Sequence, residues 1–203
     1  LVSATITPLG HRTSYTYNEM GWQTQVTNPE NETTTTRYDQ AGRAIATINA
    51  LGHRTTTVYD AGGRAIRRED PEQNITTSVY DLAGRQIATV NAEDHWTTAI
   101  FNDVGWQLAQ IDANGNRTSF AYDATGNRTI QMNPLGQRTT SIYECGQLDV
   151  RIDARGNRTT FAYEMGRRKK QIYPDGTRIT WSYDPNGNPT TISSDAGDFA
   201  RKY

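Results

Sequence analysis

Aliphatic residues, cysteine and long apolar runs are all scarce in this sequence. Leu, Ile, Val and Phe account for 32 of the 203 residues, about 16%, which is too few to fill an ordinary globular core. The single cysteine, Cys145, excludes an intrachain disulfide framework and a zinc site built on several thiolates. No apolar run approaches the roughly 20 residues of a membrane helix, and residues 1–6 lack the basic and apolar regions of a signal peptide. The sequence predicts no membrane span.

An excess of charge of one sign is missing as well. The 21 basic and 22 acidic residues give a net charge of −1. The chain therefore lacks both the high net charge of a disordered polyelectrolyte and the overall basicity of a nucleic-acid binder. Its one basic cluster, residues 167–170, is interpreted as a solvated face. We predict no nucleic-acid partner.

Threonine and tyrosine are abundant, and they recur with a fixed period. The sequence contains 30 Thr and 11 Tyr, residue types that favour pleated strands. The segment at residues 10–18 returns every 21 residues, and twice after 20, which indicates one repeat array over residues 1–203. The nine copies begin near residues 10, 31, 52, 73, 94, 115, 136, 156 and 176, and a tenth begins at 197.

Two columns define the repeat, and the segment between them predicts a turn. The first column is aromatic and the second is glycine. The residue directly after the aromatic one is Asn, Asp or Glu throughout, and Asx side chains and glycine both favour turns. The aromatic column consists of Tyr17, Tyr38, Tyr59, Tyr80, Phe101, Tyr122, Tyr143, Tyr163 and Tyr183. The glycine column, three or four residues later, consists of Gly21, Gly42, Gly63, Gly84, Gly105, Gly126, Gly146, Gly166 and Gly187.

Each repeat is predicted to form two strands and two turns. Residues 54–59 and the shorter segment 44–48 have strand composition, and a second turn begins at pairs such as Asn28-Pro29. In both 20-residue copies the missing residue falls between the tyrosine and the glycine, where a turn absorbs it without exchanging the faces of a strand. We predict an all-β fold, a continuous antiparallel strip that advances about 9.6 Å per repeat, with no helix of note.

Alternation along residues 54–59 predicts the two faces of the strip. Thr55, Thr57 and Tyr59 share one face. The other face has Arg54, Thr56 and Val58. Neither face is strongly apolar. This favours a thin curved wall in which the tyrosine rings supply most of the buried area.

The motif Tyr-Asp-x-x-Gly-Arg, at residues 38–43, 59–64 and 80–85, with Asn/Asp-Pro-x-Gly turns at a period near 21, resembles the YD repeat of the RHS-repeat family. The resemblance covers nearly the whole chain. It implies a β-strip that spirals into a hollow shell. In bacterial RHS proteins and insecticidal toxin-complex shells such a shell encloses a toxic C-terminal domain, and in teneurins a similar shell outside animal cells mediates adhesion. The resemblance implies a bacterial protein that is secreted or at the cell surface.

Histidine and aspartate recur in the repeat, but their spacing does not suit a metal. His11, His53 and His95 are two repeats apart, or about 19 Å along a regular strip, whereas zinc needs ligand nitrogens at about 2.0–2.1 Å. Segments such as 112–116 superficially resemble a calcium loop, yet their glycine comes fourth rather than sixth. We interpret the aspartates as turn caps and predict no metal and no cofactor.

No catalytic constellation stands out. The sequence lacks a nucleophile elbow, a His-Glu-x-x-His helix and a phosphate-binding glycine loop. Cys145 has no histidine beside it in sequence to activate it. Glycosylation sequons, which follow from the threonine column, begin at Asn31, Asn74, Asn116, Asn127 and Asn157. The sequence predicts a protein that is not an enzyme.

Our leading hypothesis is a structural β-strip, part of the wall of an encapsulating shell or of an extracellular tube or filament. Its partners would be further repeats of the same chain, identical chains, or a toxin enclosed by a longer protein of which this is a segment. The alternative is a surface binding module that engages glycans or a protein through exposed Tyr, Trp and Arg ladders. The two hypotheses differ in whether one groove is lined by Trp22, Trp96, Trp106 and Trp181.

Overall fold

The computed structural model describes residues 1–195 and the strand Arg201–Lys202. This part of the chain consists of strands and turns, without helix, so the predicted all-β fold is confirmed. No helix in the described residues is long and apolar enough to cross a membrane. The copy predicted from residue 197 lies outside the described residues, apart from its strand.

The strands follow one another at the period read from the sequence. They are β1 Ala4–Ile6, β2 Arg12–Tyr17, β3 Gln23–Thr27, β4 Thr33–Tyr38, β5 Ala44–Ile48, β6 Arg54–Tyr59, β7 Ala65–Glu69, β8 Ile75–Tyr80, β9 Gln86–Val90, β10 Trp96–Phe101, β11 Gln107–Ile111, β12 Arg117–Tyr122, β13 Arg128–Met132, β14 Arg138–Glu144, β15 Gln147–Ile152, β16 Arg158–Glu164, β17 Arg167–Ile172, β18 Arg178–Tyr183, β19 Pro189–Ser194 and β20 Arg201–Lys202.

The chain divides into two compact units, Leu1–Thr98 and Ala99–Tyr203. In the first unit each strand from β1 to β9 pairs antiparallel with the strand that follows it. In the second unit the same holds from β11 to β19. Because these pairings join strands that are neighbours in sequence, each unit is a run of hairpins.

In the 21-residue copies the turn after the aromatic column begins at an aspartate or asparagine. In the second repeat the carbonyl of Asp39 accepts the N–H of Gly42 at 3.1 Å, and Asp39 Oδ1 accepts the N–H groups of Ala41 and Arg43 at 2.9 and 3.0 Å. Gly42 has φ +80°, in the left-handed region that an L-residue enters only at a cost. The interpretation of these aspartates as turn caps is confirmed.

The turn at the other edge of the strip is built in the same way. The carbonyl of Asn49 accepts the N–H of Gly52 at 2.9 Å, and Asn49 Oδ1 accepts the N–H of His53 at 2.9 Å. An Asx side chain therefore initiates most turns at both edges, whereas Thr7 and Tyr173 start two of those at this edge. In three copies a residue other than glycine takes the left-handed position, namely Asn31, Gln73 and Asp94.

The hairpins at the Tyr-Asp edge carry a β-bulge directly before their aromatic residue. In β6–β7 the partners shift from Val58–Arg67 to Tyr59–Ala65, which leaves Ile66 as the extra residue. Equivalent shifts recur in the other paired Tyr-Asp hairpins. A bulge bends its strand and increases the local twist, so the aromatic ring is aimed by the same irregularity in repeat after repeat.

The two 20-residue copies have the shortened turn that their sequences predict. Glu144 pairs with Gln147 across a two-residue loop, Cys145-Gly146, in which φ is +48° and +77°. Positive φ at both loop residues matches the twist of a tight hairpin. The deletion is thus absorbed in the turn, and the strand faces keep their register.

Full burial is rare, and most of it lies in a column that our sequence reasoning did not single out. Among the described residues, the buried side chains are Ala46, Ala88, Ala109, Val150 and Phe161. The first four occupy one position of the shorter strand, on the face opposite the tyrosines, whereas the tyrosines are half-buried. The small residues at this position are the signal in the sequence, since its three alanines are separated by multiples of 21 residues.

Candidate functional site

The aspartate that caps the Tyr-Asp turn also holds the arginine at its end. Arg43 Nε donates to Asp39 Oδ2 at 2.7 Å, while the Arg43 amide donates to Oδ1 of the same carboxylate. Arg64 and Asp60 repeat this arrangement, with Nε to Oδ2 at 2.7 Å. The local turn sequence therefore orients a guanidinium as well as reversing the chain.

Each of these guanidinium groups reaches into the next repeat. Arg43 Cζ lies 5.0 Å from the ring centroid of Tyr59, and Arg43 Nη1 donates to the carbonyl of Asp60 at 3.1 Å. Arg64 lies over Tyr80 at the same 5.0 Å. A cation over an aromatic face contributes about 0.5–1 kcal/mol at exposed sites, so the arginines link consecutive hairpins.

The tyrosine hydroxyls make the link in the reverse direction. Tyr59 donates to the carbonyl of Ala44 at 3.1 Å, and Tyr122 donates to the carbonyl of Gln107 at 2.9 Å. Together with the arginines they form what we call the tyrosine ladder, the aromatic column and the residues that cover its rings. The other hydroxyls that donate in this way belong to Tyr17, Tyr38, Tyr80 and Tyr183.

Tryptophan takes the place of arginine in two repeats. The ring centroids of Trp22 and Tyr38 are 5.6 Å apart, and those of Trp106 and Tyr122 are 5.4 Å apart. A Cβ atom on Gly42 would lie 2.8 Å from the Trp22 ring, so glycine is required there by close packing as well as by its φ. These tryptophans are part of the ladder.

The remaining tryptophans do not join them in one groove. Trp96 is 54% exposed and lies opposite Val90, on the face away from the tyrosines. Trp22, in the same unit, lies on the tyrosine face, which separates the two. Trp181 in the second unit is half-buried, with the Arg168 guanidinium 5.8 Å from its ring. The groove required by the binding-module hypothesis is therefore not formed by these four residues.

Among the described residues of the aromatic column, two tyrosine hydroxyls do not reach a carbonyl. The covering position, sixteen residues before the tyrosine, holds Asn127 for Tyr143 and Gln147 for Tyr163. The hydroxyls of Tyr143 and Tyr163 have no hydrogen-bond partner among the described residues. Arg167 covers Tyr183 at 5.8 Å, and that hydroxyl donates at 2.8 Å. Tyr143 and Tyr163 also stand in the two copies with the shortened turn, so the loss of the hydroxyl bond accompanies both the missing Arg or Trp and the shorter turn.

Hydrogen bonds keep the turn carboxylates ionised. The pKa of Asp60 lies below its usual value, because the Arg64 amide and then the Arg64 side chain donate to the carboxylate. Donation from the side chains of Asn127 and Thr125 lowers the pKa of Asp123 to about 2. Carboxylates held in this way act as acceptors, and they are poorly suited to general acid–base chemistry near neutral pH.

The polar residues considered as sites are dispersed along the strip. Within the described residues, no three His, Cys, Asp or Glu side chains come together as a metal would require. Cys145 is exposed and lines a shallow groove of about 340 Å³ with Glu144, Asp149 and Tyr163, among other residues that include no histidine. The contacts of the tyrosine ladder join each repeat to the next, so this geometry supports a structural role.

A family model described as the teneurin YD-shell matches residues 10–203. No curated protein matches the sequence. Among solved structures, a crystal structure of TcdB2-TccC3-Cdc42 superposes with a TM-score of 0.69 at 17% identity, over 97% of this chain and 12% of that one. A crystal structure of TcdB2-TccC3-TEV superposes with a TM-score of 0.67 at 17% identity, over 95% of this chain and 12% of that one. At these identities the likeness concerns the fold, and this chain spans about an eighth of those chains.

Proposed function

Because the chain belongs to the teneurin YD-shell family, we propose that its repeats form part of the wall of an encapsulating shell. The observation that carries this proposal is the tyrosine ladder. Arg43 is fixed by its own aspartate and reaches both the ring and the carbonyl of the following repeat. A contact that recurs from repeat to repeat resists separation along the strip, which is what a wall requires.

The wall would be non-enzymatic, and its cargo would be a polypeptide. Support for the first point is that the turn aspartates accept hydrogen bonds within their own turns and that the polar groups repeat instead of forming one distinguished cluster. The fold shared with TcdB2-TccC3 structures supports the second. The longer protein to which the repeats belong would enclose a toxic domain and act outside the cell that makes it.

Imaging of the full-length natural protein tests the proposal. We expect closed particles with an internal cavity in negative-stain electron microscopy, and a C-terminal domain that resists protease until the particle is opened. Extended filaments with an accessible C-terminal region would contradict the shell and favour a fibre. Reproducible hydrolase or transferase turnover, lost on one substitution within residues 1–203, would contradict the non-enzymatic reading.

A further inference from the structure

The face opposite the tyrosines carries a row of arginines in the second unit, and the ladder does not use it. In each repeat there an arginine lies directly across from an aliphatic residue, and cross-strand partners share a face. The pairs are Ile111–Arg117, Met132–Arg138, Ile152–Arg158 and Ile172–Arg178. All four arginines are exposed, and we call them the arginine row.

The row has a regular spacing. Successive arginines are separated by two strands of the sheet, which corresponds to about 9.6 Å. Lys170, paired with Thr180, adds a further cation to the same face. The spacing is set by the hairpin repeat, so it is the same for every step along the row.

The charge of the row is largely uncompensated. Neither Arg138 nor Arg158 has a carboxylate partner among the described residues. Arg178 Nε lies 3.8 Å from Asp195 Oδ2, a long contact between exposed groups. Glu144, on the same strand as Arg138, is six residues away, or about 20 Å. The chain has a net charge of −1, yet this part of its surface is cationic.

Carboxylates of the neighbouring turns are already engaged. Asp112 Oδ2 accepts the side-chain amide of Asn116 at 3.0 Å, and Asp153 Oδ2 accepts that of Asn157 at 2.9 Å. They lower the positive potential at the edge of the row, but they do not form ion pairs with it.

Each step of the row presents the same three groups. A hydroxyl lies two residues after each arginine on the same strand face, and Arg117 Nε donates to the first of them at 3.2 Å. The hydroxyls belong to Ser119, Thr140, Thr160 and Thr180. The third group is the aliphatic side chain across from the arginine. On this face the described strands β11 to β19 place no aromatic residue.

We propose that the arginine row binds an acidic linear polysaccharide with one carboxylate in each disaccharide. Such a chain presents its carboxylates at a spacing close to the two-strand step of the sheet. Arginine pairs with a carboxylate through two parallel N–H bonds, the threonine and serine hydroxyls match sugar hydroxyls, and the aliphatic residues suit the apolar faces of sugar rings.

Two other polyanions fit less well. Single-stranded nucleic acid is held by aromatic side chains on which its bases stack, and this face of the second unit offers none in its described strands. An extended acidic peptide repeats its same-face side chains every 6.7 Å or so, out of step with the row.

The probe is a fluorescein-labelled hyaluronan decasaccharide, titrated with the full chain at low salt and followed by fluorescence anisotropy. We expect binding that weakens as NaCl screens the charges, and a loss of affinity of at least about tenfold in a variant carrying Arg138→Gln and Arg158→Gln. Arg54→Gln is the control, matched in charge to the single variant Arg138→Gln. Arg54 is exposed at the same repeat position in the first unit, but Thr33 and Ile75 stand where its neighbouring arginines would be.

No binding by the wild-type chain, equal affinity in the double variant, an equal loss in Arg54→Gln, or tighter binding of oligo(dT) or polyglutamate would each overturn the proposal. Circular dichroism establishes that the variants are folded. If the glutamine variant does not fold, Arg138→Lys with Arg158→Lys decides, because it keeps the charge and removes the fork. The proposal then requires a clear loss of affinity in the lysine variant.

Discussion

The two units of the chain share one backbone repeat, but two rings of the second unit, Tyr143 and Tyr163, lack the arginine or tryptophan that covers Tyr38, Tyr59 and Tyr80 in the first. In the first unit Arg43 and Arg64 close on aspartates and cover the next rings. In the second unit Asn127 closes on Asp123, with Nδ2 to Oδ2 at 2.9 Å, but an amide side chain is too short to cover the ring that follows.

The difference separates two roles that the arginine combines. Satisfying the turn carboxylate requires only a donor four residues on, and asparagine supplies it. Linking the repeats through a guanidinium or an indole requires arginine or tryptophan, and Tyr143 and Tyr163 have neither above their rings; their turns are also one residue shorter. The turn therefore survives a substitution that removes the link.

The largest effect is expected from removing a fully linked ring in the first unit. Tyr80 is covered by Arg64 and donates to the Ala65 carbonyl at 3.1 Å, so Tyr80→Ala should cost about 3 kcal/mol of unfolding free energy. His53→Ala, at an exposed turn, should change it by less than about 0.5 kcal/mol. Urea unfolding measures both. A wild-type-like Tyr80→Ala beside an unfolded His53→Ala would show that the ladder is not the core.

A smaller effect is expected where tryptophan packs on a turn. Gly52→Ala meets only the cost of a left-handed φ of +81°, about 1 kcal/mol, because nothing lies within 4 Å of the added Cβ. Gly42→Ala should cost roughly 1 kcal/mol more, since Trp22 must move. Equal losses in thermal unfolding would mean that the indole gives way freely.

Replacing tyrosine by phenylalanine tests the hydroxyl alone, because it keeps the ring. Tyr80→Phe removes a hydrogen bond to a main-chain carbonyl and should cost about 1 kcal/mol. Tyr163→Phe is the matched change in the second unit and should be close to neutral, because that hydroxyl has no partner among the described residues. A loss in Tyr163→Phe as large as in Tyr80→Phe would show that the Tyr163 hydroxyl is hydrogen-bonded as well.

An arginine introduced at the covering position of the second unit should raise the free energy of unfolding slightly. Asn127→Arg places a guanidinium beside Asp123 and within reach of Tyr143, and it should stabilise the second unit by about 0.5 kcal/mol. Tyr143→Phe then serves as the second arm of a double-mutant cycle. It should be neutral in the wild type and destabilising in the Asn127→Arg background; additivity would show that no new link has formed.

The smallest effect is expected in the free energy of unfolding at acidic pH. The pKa of Asp123 falls from 3.8 to about 2 through donation by Asn127 and Thr125, so its contribution to stability is complete above pH 3.8 and is lost as the pH falls toward 2. Asp123→Asn should therefore show a shallower decline of unfolding free energy between pH 4 and pH 2. Asn18 and Asn102 start the same turn elsewhere, which makes asparagine a conservative choice. An unchanged acid profile would contradict the shift.

The strand pattern, both turns and the faces were predictable because they are local. A period of 21, the Asx residue at each turn start and the glycine four residues later describe one hairpin that recurs. The residue that starts the turn also follows a local rule. Asp39 stands four residues before Arg43, and Asn18 stands four residues before Trp22. The buried alanine column and the arginine row were harder to foresee, because their importance depends on which strands lie across from them.

By itself the sequence determined an antiparallel repeat with a tyrosine face, since alternation and turn chemistry act within one hairpin. Only the tertiary structure decided that Arg43 covers the ring of Tyr59, sixteen residues on, and that the hydroxyl of Tyr59 returns to Ala44. Those contacts join different hairpins, and they depend on a bulge that re-aims the ring and on the packing that holds it. The spacing of residues along one chain specifies neither.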